Sequence, residues 1–159
     1  MIFNSIIDDI ELNWDDISWG YKKHLIGWKD LVNYANKEIL LGNTNEFVNE
    51  ISLIDKNSTY RLDELLEKIV TSPDDYNNEK WLYISLLQLF SLKESIEDPL
   101  GEVEKIYEDF DYPEDIESFV RYMPVNENYD PSKHTPEENT QRLYEKWALY
   151  LDSKKMFKK

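Results

Sequence analysis

Apolar residues recur along this chain at intervals of three and four, the spacing that lines one face of an α-helix. Leu62, Leu65, Leu66, Ile69 and Val70 form one such stripe. Leu100, Val103, Ile106, Tyr107 and Phe110 form a second, and Ile116, Phe119, Val120 and Met123 a third. Leu143, Trp147 and Leu151 form the last, with Tyr144 and Ala148 beside it. The run WLYISLLQLFSL at 81–92 is apolar nearly all round, and at that length reads as a buried central helix rather than a strand.

The punctuation fits helices. Thr135, Pro136 and Glu138 spell a capping box with proline at the first helical position, and Asp98–Pro99 opens the preceding helix similarly. Ser72–Asp75 and Tyr112–Asp115 repeat the proline-then-acid pattern. Asn13 with Asp16, and Asn43 with Glu46, suggest further N-caps, and Gly42 falls where a glycine ends a helix begun near Trp28. The expected fold is therefore all-α: a single compact domain over 1–159, of seven or eight helices at 14–25, 28–41, 44–54, 60–71, 78–93, 99–110, 113–123 and 136–153. Residues 1–12 read as a short helix or extended arm, and the basic tail 154–159 as a helix end that frays, with folding back onto the acidic face as the alternative.

A length of 159 residues suffices for a proper core, and 41% hydrophobic with 14% aromatic residues sets the chain apart from disordered compositions. The absence of cysteine excludes disulfides, thiolate metal sites and thiol catalysis. No stretch approaches the roughly 20 apolar residues of a membrane span, and MIFNSIIDDIEL lacks the basic start of a signal peptide. A cytoplasmic location is expected. The net charge of −15 repels nucleic acid and anionic membrane, so no direct contact with either is expected, and it favours a basic partner.

That charge is concentrated. Between residues 102 and 117, eight acids face Lys105 alone. Asp109–Phe110–Asp111 could begin a calcium loop, but Pro113, Glu114 and Val120 occupy the fifth, sixth and twelfth places, where such a loop needs an oxygen ligand, glycine and glutamate. Catalysis by paired carboxylates needs one buried, whereas these lie mostly opposite the apolar stripe. Glu102, Glu104, Glu114 and Asp115 fit a structural role near helix N-termini, with a gain of about 0.3–1 kcal/mol each. Glu108, Asp109 and Asp111 do not, because they fall at a helix C-terminus, where negative charge is unfavourable. Carboxylates beside an aromatic suit a basic protein surface, and Tyr112, off every stripe, is the anchor. Glu108, Asp109, Asp111, Tyr112, Glu114 and Asp115 are thus the candidate partner-binding residues, in competition with a merely solvated acidic face.

Elsewhere the chemistry is sparse. His24 and His134 belong to no ligand pair, and His24 reads as a C-terminal cap. Phosphate-binding glycine motifs and nucleophile elbows are absent. Trp14, Trp19 and Trp28 read as packing residues. No catalytic residue, metal site or cofactor is expected.

The blocks WDDISWGYKKHLIGWKDLVNYA, KWLYISLLQLF, DPLGEVEKIYEDFDYPEDIESFVRYMP and RLYEKWALYL resemble, over most of the chain, a family of small, acidic, mostly helical bacterial proteins of uncharacterised function associated with toxin–immunity loci. The resemblance implies an immunity protein, an antitoxin that binds and blocks one cognate toxin domain without chemistry of its own. If that toxin is a nuclease, its basic substrate-binding surface would complement the acidic face. The competing readings are a general acidic adaptor or nucleic-acid mimic with several basic partners, and a helical enzyme using carboxylates and tyrosine. Monomer and homodimer both fit the exposed aromatics.

Overall fold

A computed structural model describes residues 7–71, 75–125 and 128–159, and among them every regular element is helical. Seven α-helices lie wholly within the described residues: α1 (Trp14–Lys22), α2 (Trp28–Leu40), α3 (Glu46–Ser52), α4 (Leu62–Glu67), α5 (Glu79–Ser91), α6 (Pro99–Asp109) and α7 (Pro136–Ser153). Short 3-10 helices stand at Thr59–Arg61, Lys93–Ser95, Glu114–Phe119, Pro131–Lys133 and Lys155–Phe157. The expected cap over Ser72–Asp75 lies largely outside the described residues, as does the first half of the expected N-terminal arm.

Backbone proximity groups the chain into two units, Glu11–Trp81 and the combination of Met1–Ile10 with Leu82–Lys159, the division falling inside α5. In the first, α2 packs along α3, and α3 against α4. Leu31, Ala35, Val48, Ile51, Leu62 and Leu66 are buried there, following the helical spacing of the sequence. In the second, α7 packs on the 3-10 helix at 114–119, with Trp147 stacked on Phe119 at 6.0 Å and 4°. Buried Ile84, Leu86, Leu100, Val103 and Ile116 complete that core.

The α1 end carries a polar brace within the first unit. Asn13 and Asp16 form a reciprocal capping box. Asp16 is 3% exposed. Its carboxylate accepts bonds from the Asn13 amide (2.8 Å), the Tyr76 hydroxyl (2.6 Å) and Lys80 Nζ (3.0 Å). Its backbone carbonyl accepts from Trp81 Nε1 at 2.8 Å. The Trp81 ring lies directly over Gly20, where any Cβ would overlap it. Asp15 adds two bonds from Thr71, both 2.9 Å.

Three helices end alike. In the Schellman motif the two amides beyond the last turn bond back to its carbonyls, and the first of those residues takes a left-handed conformation. Gly42 does this after α2, as expected, with φ +99. His24 does it after α1 at φ 61, and Asp111 after α6 at φ 61. His24 therefore caps through its backbone, and its imidazole makes no hydrogen bond among the described residues.

Three expectations are corrected. The N-cap of α3 is Asn45 rather than Asn43, whose side chain instead accepts from the Asn45 amide. The helix expected over 113–123 is a 3-10 helix of six residues, and the chain is extended again at Val120. Three residues per turn sets Ile116 and Phe119 on one ridge, which suffices to bury both. The C-terminal tail is tied down rather than frayed. Lys154 Nζ reaches Asp115 at 3.2 Å, Phe157 packs on Tyr83 at 5.8 Å, and Lys158 bridges to Ile10.

Candidate functional site

The acidic stretch is built on the α6 C-terminus. Asp98 caps the helix start, accepting from the Gly101 amide at 3.2 Å, and Pro99 occupies its first turn. The stripe buries Leu100, Val103 and Tyr107. At the far end the Asp111 amide bonds to the Glu108 carbonyl at 3.1 Å and the Tyr112 amide to the Tyr107 carbonyl at 2.8 Å. The hydrophobic contact that accompanies such a cap is here aromatic: Tyr112 meets Tyr107 edge-on, centroids 5.2 Å apart and planes at 84°.

The turn is strained. Asp111 at φ 61 is followed by Tyr112 at φ 58, so two successive non-glycine residues are left-handed. The conformation is tolerable for aspartate but an outlier for a bulky residue, at about 1–2 kcal/mol each. Its product is an exposed tyrosine, 56% accessible, propped on Tyr107 of the helix. Tyr122, 52% accessible, leans on the same buried Tyr107 at 6.2 Å. The Tyr107 hydroxyl donates to Glu117 Oε1 at 3.3 Å. Burial and then Glu117 push the Tyr107 phenol above its ordinary pKa. Tyr122 is raised as well, by burial first and then by Glu108, Tyr112 and Glu104.

The eight acids divide in two. Glu102 pairs with Lys105 at 2.8 Å, Glu104 with Arg121 at 3.0 Å, Asp115 with Lys154, and Glu117 accepts from Tyr107. Glu108, Asp109, Asp111 and Glu114 have no side-chain partner among the described residues. All six candidate residues are exposed; four of the acids stand without a side-chain partner among the described residues, and Tyr112 rests on Tyr107. Asp115 differs in having its charge partly answered by Lys154. A fork fixes the neighbouring loop: Arg121 bonds Asp98 through both terminal nitrogens, at 3.1 and 3.2 Å, besides Glu104. That fork lowers the Asp98 pKa.

Sequence reasoning missed Tyr122, because reading 113–123 as one α-helix hid where that ring stands. It also missed the Arg121 fork, which spans 23 positions and has no local signature.

The strain gives a direct expectation. Asp111→Gly should raise stability by about 1 kcal/mol, since glycine takes the left-handed position without penalty and removes a charge from the negative end of α6. Urea unfolding of wild type and variant measures it, and an unchanged or lower midpoint would show that the Asp111 side chain supports the fold.

Two other polar places stand out. The Asp16 brace is saturated by hydrogen bonds. Before α7, Tyr129 stacks on His134 at 4.6 Å under the guanidinium of Arg142 on that helix, and His134 Nδ1 meets Glu138 at 3.1 Å. This second place is an open groove whose aromatic and ionic partners already satisfy one another. Among the described residues no three His, Cys, Asp or Glu side chains gather as a metal site, and no helix is long and apolar enough to cross a membrane.

The chain belongs to a bacterial family described as "Uncharacterized protein conserved in bacteria (DUF2247)", which matches residues 3–155. Neither the curated proteins nor the solved structures provide a match.

Proposed function

We propose that this chain is a protein-binding module whose α6 turn docks a basic partner, and that the partner is a cognate bacterial toxin domain which it neutralises. The carrying observation is the turn itself. Two left-handed residues hold Tyr112 out among Glu108, Asp109, Asp111 and Glu114, carboxylates without side-chain partners among the described residues. Strained backbone clusters at functional sites, so two successive outliers at a surface are a lead toward function. Here it places an aromatic anchor inside a field that speeds encounter with a cationic surface. The toxin class comes from the sequence resemblance to proteins of toxin–immunity loci. The general acidic adaptor rests on the same surface and differs in the number of its partners.

The test is capture by the tagged chain from its native host, washed from low salt to about 1 M, where the Debye length is about 3 Å. The expected result is one basic protein that survives the final wash and whose toxicity the chain suppresses on co-expression. A mixture that dissociates as salt rises would favour the adaptor. An empty bait in cells expressing a candidate toxin would remove the immunity reading.

A further inference from the structure

The geometry points to Tyr112 and Tyr122, two half-exposed rings propped on the buried Tyr107, as the contact for a single arginine side chain of the partner. This deepens the partner-binding reading and rests on it. One ring meets Tyr107 edge-on and the other is tilted at 59°. Exposed tyrosine faces attract cations through the negative face of the ring. Glu108, which has no side-chain partner among the described residues, adds negative potential at Tyr122.

The chain's own nearby cations are engaged elsewhere. Arg121, next to Tyr122 in sequence, is clamped by Asp98 and Glu104, and Lys105 is paired with Glu102. Charge selects a cationic guest over an anionic or purely apolar one. Shape selects guanidinium over ammonium, because its plane can stack on a ring while its fork bonds a carboxylate such as Glu108. The net charge of −15 argues against a membrane or nucleic-acid surface as the source.

The experiment is an NMR titration of the full chain with N-acetyl-arginine amide, N-acetyl-lysine amide and the neutral isostere N-acetyl-citrulline amide. Arginine is expected to give saturable shifts centred on Tyr112 and Tyr122, lysine weaker ones and citrulline none. Tyr112→Ala and Tyr122→Ala should each weaken arginine binding about two- to five-fold, whereas Tyr122→Phe, which keeps the ring, should retain it. Equal shifts with citrulline, or arginine shifts that ignore both alanine variants, would overturn the proposal. Failure of the broader reading has a different signature: the arginine shifts appear, but no partner is captured. A partner that binds Tyr112→Ala and Tyr122→Ala as tightly as wild type would remove the arginine contact alone.

Discussion

Asp16→Ala is expected to destabilise the protein by about 3 kcal/mol, a large share of the roughly 5–15 kcal/mol available to a folded domain. The carboxylate is almost wholly buried and answers three donors, from Asn13, Tyr76 and Lys80. Removing it leaves a half-buried hydroxyl and an amide unpaired, and separates the Lys80 charge from its counter-ion. The loss stays toward the lower end of the range for broken buried pairs because Lys80 is 27% exposed and also bonds the Glu11 carbonyl. Asp16→Asn keeps an acceptor and should cost less. The brace also fixes a pH dependence. Burial, then the Asp16 hydrogen bond, raise the Tyr76 pKa, so the folded chain holds a proton that the unfolded chain releases above about pH 10. Stability from this tyrosine is complete below that pH and is lost as pH rises. Tyr76→Phe should flatten part of the alkaline decline, the rest belonging to groups such as Tyr34, which is raised mainly by burial. Urea midpoints at neutral and alkaline pH read both effects. A loss under 1 kcal/mol for Asp16→Ala would show the brace to be incidental.

Gly20→Ala should also destabilise, by about 2 kcal/mol net, although helix propensity alone favours alanine inside α1 by about 1 kcal/mol. A Cβ at this position would sit 2.7 Å from Cε2 of Trp81. The indole cannot simply retreat, since its Nε1 is bound to the Asp16 carbonyl and the ring is fully buried. Overpacking therefore breaks into the same brace. Thermal unfolding of Gly20→Ala, Trp81→Leu and the double variant measures the coupling. The account expects the alanine penalty to vanish once the indole is gone. A penalty of the same size in both backgrounds would place the cause elsewhere.

These two sites show what the sequence could and could not convey. Asn13 with Asp16 was readable as an N-cap, because capping is local and leaves a fixed spacing. That Asp16 also receives Tyr76 and Lys80, 60 and 64 positions on, has no local signature. Gly20 carries no local signature, because its reason is a ring 61 residues away in sequence. The stripes on α4, α6 and α7 were legible for the same cause as the caps, namely that one helix face repeats along the chain. The 113–123 segment was misread because positions 116 and 119 fit a 3-10 ridge as well as an α-helical one. At the candidate site, the excess of acids and the isolation of Tyr112 were visible in the sequence. Which acids were partnered was not, since Arg121 and Lys154 arrive from outside the stretch.

The most direct test of the docking face compares wild type with the Asp109→Lys/Asp111→Lys variant against the captured partner, reading association and dissociation rates at low and physiological salt. Both side chains are exposed, and neither has a partner among the described residues, so circular dichroism and thermal unfolding should show an intact fold. The account predicts slower association, with the gap between the two proteins narrowing as salt rises, and a weaker complex. Wild-type rates and affinity in the folded double variant would contradict it, and would return the acids of the α6 turn to the role of a solvated surface.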